Sequence, residues 1–137
     1  MLSTIKYRFE KAVADSPENF GEFSLGKNSR NTVELEHHMY DVLFSTSIFL
    51  EEERLDANRL ETLSFSREIE RFSLEIMRAD QALDINELPV DFSKRLLQGP
   101  FSDILTHIGQ IAIIQGLNGR PIIAEDFSSA AIQTAKH

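Results

Sequence analysis

The side chains best suited to chemistry in this sequence are few: four histidines, and no cysteine at all. A neutral imidazole is a common metal ligand, and its proton exchanges near physiological pH. Without thiols the chain has no disulfide framework, thiolate site or nucleophilic cysteine, so any metal must be held by nitrogen and oxygen. His37 and His38 are neighbours, and a helix aims neighbours about 100° apart. Leu35, Val42 and Phe49 point with His38, which is therefore expected to face inward, whereas His37 should face water. Asp103 and His107 are four apart, which puts them on one helical face about one turn from each other. Ile104, Ile108 and Ile111 surround that direction, and an unpaired carboxylate at the edge of apolar surface is costly unless a metal or cation relieves it. Plainer readings stand beside these. His38 can be a hydrogen-bonded core residue, and Asp103 can pair with His107 or sit in a first helical turn, where the helix dipole favours it. His137 ends the tail and is expected to be solvated.

The elements that must position these residues read as helices. Leu2, Ile5, Phe9 and Val13 form one face of a first helix that Ser16-Pro17 ends. Residues 18–30, with Gly21, Gly26 and Asn28, read as a loop whose Phe20, Phe23 and Leu25 cover the bundle. Asn31 or Thr32 caps a second helix through about Arg54, with Leu35, Met39, Val42, Leu43, Phe49 and Leu50 on its apolar face. A third runs from about Asn58 to Leu83, where Phe65, Ile69, Phe72, Ile76, Ala79 and Leu83 alternate steps of four and three. Asp91-Phe92-Ser93 starts one or two turns, and Gly99-Pro100 separates these from a last helix that begins near Pro100 or Phe101 and ends at Asn118-Gly119. Glu125-Asp126 or Ser128 caps a weak terminal turn. The expected fold is all-α, an up-down-up-down four-helix bundle in a single domain over residues 1–137. Bundles build metal sites from inward side chains on facing helices, and His38, Asp103 and His107 together could hold zinc, nickel or iron with positions left open.

Composition narrows the partners. A formal charge of −8 disfavours a broad phosphate-binding surface, so nucleic acid is not an expected partner. The first residues lack a basic region followed by an apolar run, and no stretch approaches the roughly 18 apolar residues of a membrane span. The expectation is a cytoplasmic chain with no membrane partner. Glu51-Glu52-Glu53 reads as a solvated face.

Two segments resemble a known family. Glu34 to Leu43, with His38 followed three positions later by Asp41, looks like the first metal-binding helix of DinB/YfiT-like proteins. Leu96 to Gln110, containing His107-Ile108-Gly109-Gln110 and followed by Leu117-Asn118-Gly119-Arg120-Pro121, resembles that family's late helix. The likeness extends loosely over residues 31–127, including Arg71-Phe72. It implies a four-helix bundle, frequent homodimers and a divalent-metal site made in standard members by three histidines. Here Asp103 stands where the first histidine of the late helix would be.

Two function classes follow. In the first, a metal-dependent hydrolase or thiol transferase uses the ion to make a nucleophile of water or a low-molecular-weight thiol and to polarise a small-molecule substrate. His38, Asp103 and His107 are its ligands, Asp41 orients His38 or acts as general base, and Gln110 hydrogen-bonds substrate. In the second, the chain is a non-catalytic stress-related or regulatory bundle whose polar cluster fixes helix register.

Overall fold

The computed structural model describes residues 1–52, 60–85 and 88–132. Helix α1 (Leu2–Val13) buries Leu2, Ile5, Phe9, Ala12 and Val13 and stops before Ser16-Pro17. A 3-10 turn at Glu18–Glu22 then carries Phe20 into the core, while Leu25, expected to cover the bundle, is 40% exposed. Helix α2 (Thr32–Glu52) starts with a reciprocal cap. Asn31 Oδ1 accepts from the Glu34 amide at 2.9 Å, and Glu34 Oε1 accepts from the Asn31 amide at 3.0 Å.

Helix α3 (Phe65–Ile85) begins later than the periodicity suggests, because residues 60–64 are not helical. Their backbone is claimed by side chains instead: Glu68 Oε1 accepts from the Leu63 amide, and Arg71 donates to the Glu61 carbonyl. The expected boundaries at Arg54 and Asn58 lie outside the described residues, as does His137.

Gly99-Pro100 does not break the last helix. Helix α4 (Val90–Leu96) passes through one π-helical turn (Leu97–Phe101) directly into α5 (Ser102–Leu117), and the junction residues keep right-handed helical angles. Proline inside a helix removes one donor and crowds the carbonyl four residues back. A π turn absorbs the misfit by lengthening the hydrogen-bond step, and the Leu97 carbonyl accepts from both the backbone and the hydroxyl of Ser102. Helix α5 ends before Gly119, which takes φ 79°, a left-handed value suited to glycine. Beyond it, a 3-10 turn at Phe127–Ser129 is capped by Asp126 Oδ1, 3.0 Å from the Ser128 amide.

Among the described residues the protein is all-helical, without a strand. Around the bundle α1 touches α5 and α3, and α2 touches α3 and α5. The contacts also fix direction. Along α2 and α3, His37 meets Glu68, Tyr40 meets Arg71 and Glu51 meets Arg78, so positions rise together and the helices run parallel. Along α2 and the α4–α5 rod they run oppositely, since His38 faces Asp103 whereas Phe49 stacks on Phe92. Ala12 accepts from Gln115 and Asp15 from Arg120, which makes α1 parallel to α5. The order is therefore up-down-down-up, and the expected up-down-up-down order gives way to it. Chain length permits this. Residues 53–64 can span about 40 Å when extended, more than the roughly 30 Å length of a 21-residue helix. No helix among the described residues is long and apolar enough to cross a membrane.

Candidate metal centre

The antiparallel crossing of α2 and α5 brings His38, Asp103 and His107 together. His38 Nε2 lies 3.2 Å from Asp103 Oδ2, and His107 Nε2 lies 3.4 Å from Asp103 Oδ1. The two imidazoles meet edge to face with centroids 4.7 Å apart. One ligand atom from each residue falls within 4.8 Å of the other two. Nitrogen and oxygen ligands about 2.1 Å from a tetrahedral ion stand about 3.4 Å from one another, so this donor set fits a single divalent cation.

Hydrogen bonding decides which lone pairs are available. His107 Nδ1 lies 2.7 Å from Gln110 Oε1, an acceptor, so Nδ1 carries the proton and a neutral ring turns a bare Nε2 toward Asp103. A lone pair facing a carboxylate at 3.4 Å is an unfavourable pair unless a cation sits between them. His38 is held toward its neutral form, first by burial and then by the charges of Arg30 and His107, with Asp103 opposing. Burial grades across the site: His107 is buried, His38 half-buried, and the Asp103 side chain 44% exposed, so the cluster opens to solvent on its carboxylate side.

Continuity of the α4–α5 rod bears on the simplest alternative for Asp103. A carboxylate gains from a helix dipole where the first amides are free. Here the preceding π turn continues the helix, so Asp103 is not at a free N-terminus.

His37 does not face water. Its side chain is 15% exposed because α2 is packed on two sides, against α5 through His38 and against α3 through His37. Arg71 Nη2 lies 2.9 Å from His37 Nδ1, and Asp41 Oδ2 lies 3.4 Å from His37 Nε2. Glu68 Oε2 lies 3.2 Å from the same Nδ1. Both ring nitrogens are thus engaged. Asp41, expected beside His38, pairs with His37, and Gln110, expected at substrate, instead accepts from His107.

Sequence reasoning missed the acidic interior. Glu36 and Glu68 are fully buried, and Glu75 nearly so. Their signal was available: Phe65, Glu68, Phe72, Glu75, Ala79 and Ala82 form one inward stripe at alternating steps of three and four, with two glutamates in core positions. Among the described residues neither oxygen of Glu36 has a hydrogen-bond partner, and burial, followed by Glu68 and Glu18, pushes its carboxyl up to about 9. It is therefore uncharged at neutral pH.

Comparison of the chain with family models, with curated proteins and with solved structures finds no match.

Proposed function

We propose that this protein is a divalent-metal-dependent enzyme of the DinB/YfiT-like kind, a hydrolase or thiol transferase, with His38, Asp103 and His107 as its ligands. The observation that carries the reading is the His107 ring: Gln110 holds the proton on Nδ1, and Nε2 turns toward Asp103 and His38. A bound ion would supply Lewis-acid activation of water or a thiol as nucleophile. Three protein ligands leave room for small molecules at the exposed Asp103 side. Gln110 acts as a positioning residue, fixing the His107 tautomer in the manner of outer partners of ligating histidines. Asp41 stands next to His37 and reaches the chemistry only through α2. A homodimer and a small-molecule thiol substrate belong to the same reading, on the sequence resemblance alone.

Metal analysis of protein purified without an affinity tag tests it, followed by activity screening with thiols. One divalent ion per chain, lost in His38→Ala, is the expected result. A chain that stays metal-free after incubation with zinc, nickel, iron and manganese overturns the reading and leaves a polar cluster that only fixes register.

A further inference from the structure

On the far side of α5 from His107, a cavity of about 330 Å³ lies between α1, α5 and the segment 122–127. Volumes of this order suit small organic ligands. Ala12, Ile108 and Ala112 make its walls apolar, and Gly109 opens one side, since a Cβ there meets nothing within 4 Å. Its charged groups are Arg8, Lys11 and Glu125. Glu125 is already committed: Tyr7 donates to it, and Lys11 Nζ lies 3.1 Å from it. Arg8 has no carboxylate partner among the described residues. Its guanidinium lies 4.1 Å from the Phe127 ring centroid, and its Nε is buried without an acceptor. The lining therefore has a net single positive charge, on a chain of formal charge −8.

A second cavity of about 420 Å³ adjoins the first, sharing Lys11, Ala12, Ile122 and Ile123. There Gln115, 3% exposed, donates to Ala12 and Ser16 while its Oε1 has no donor among the described residues. An orphaned amide oxygen is a poor neighbour for methylenes, so the apolar stretch open to a ligand is short.

We propose that the α1–α5 cavity binds a small amphipathic monoanion, a short-chain carboxylate whose tail lies on Ala12, Ile108 and Ala112 and whose head meets Arg8. The head gives Arg8 the anionic partner it lacks, in a charge-assisted hydrogen bond. The tail covers apolar surface that α1 and α5 leave open. This site is separate from the His38 cluster and does not depend on it.

The test uses the full chain treated with chelator, so that carboxylate binding to metal is not read. Octanoate is titrated by calorimetry and by amide shifts of Ala12, Gly109 and Ala112, with octan-1-ol as the neutral comparison. Saturable binding of octanoate at least tenfold tighter than octan-1-ol, weakened at least tenfold in Arg8→Gln, is expected. Gly109→Leu places its Cβ where nothing lies within 4 Å and its isobutyl group at the opening, and should abolish binding with the melting temperature kept. Equal affinity for acid and alcohol, unchanged binding in Arg8→Gln, or no saturable binding to the folded chain would overturn the proposal.

Discussion

His37 and His38 share a helix turn, yet they belong to different kinds of cluster. The His37 ring is closed, with Arg71 on one nitrogen, Asp41 beside the other, and a fully buried Glu68 behind them. The His38 cluster is open: two imidazoles converge on a half-exposed carboxylate, and Gln110 holds the His107 ring proton on Nδ1, away from that carboxylate. Both contain histidine and acid at hydrogen-bonding range. What separates them is whether every lone pair is already spent, because only unspent ones can bind anything. The closed cluster should govern stability and the open one metal affinity.

The largest effect is expected on the closed side. Glu68→Ala removes the carboxylate that receives Arg71 and leaves a mostly buried guanidinium without a carboxylate, a loss that typically costs about 3–5 kcal/mol. Urea unfolding should show that loss, while the folded fraction keeps its metal. Loss of metal without loss of stability would reverse the assignment of the two clusters.

Glu36 gives an effect of opposite sign. Its folded-state pKa, about 9, lies above the ordinary value of 4.5. The stability of burying it uncharged is therefore fully present below pH 4.5 and is lost as pH rises toward 9. By pH 7, some 2.5 units above 4.5, the cost relative to acid reaches about 3.5 kcal/mol, at roughly 1.4 kcal/mol per unit. Glu36→Gln removes that titration. Its urea midpoint should exceed the parent's by more at pH 8 than at pH 5, and a pH-independent difference would show that Glu36 is not held protonated.

On the open side, Gln110→Leu frees the His107 ring to take either tautomer. Outer partners of ligating histidines are worth about 10–100-fold in metal affinity. Zinc titration should show a loss in that range, and unchanged affinity would remove Gln110 as a positioning residue. The smallest effect is expected for His37→Ala, which should leave metal affinity unaltered. A weaker site in that variant would mean that the closed cluster reaches the ion after all.

Where sequence patterns mirror local geometry, the reading carried over. The stripe of α1, the cap at Asn31 and the end of α5 at Asn118-Gly119 follow from periodicity, hydrogen-bonding side chains and glycine's access to positive φ. The approach of His38 to Asp103 and His107 was also legible, from spacing and inward direction. Other features depend on which helices become neighbours. His37 pointed away from its own apolar stripe, and nothing in α2 says that α3 would pack there. The parallel course of α2 and α3 likewise is not written in the pattern of either helix. Gly99-Pro100 suggested a break because local propensity cannot show that a π turn would absorb the proline.

Asp103 carries the central claim, since it faces both imidazoles. Isothermal titration of zinc and manganese into the untagged chain, Asp103→Ala and Asp103→His measures it directly. The account expects one ion per chain in the parent, loss of binding in Asp103→Ala, and retained binding in Asp103→His with preference moved from manganese toward zinc, as a softer ligand replaces a harder one. Unchanged affinity in Asp103→Ala would contradict it and reduce Asp103 to a hydrogen-bonding neighbour of His38 and His107.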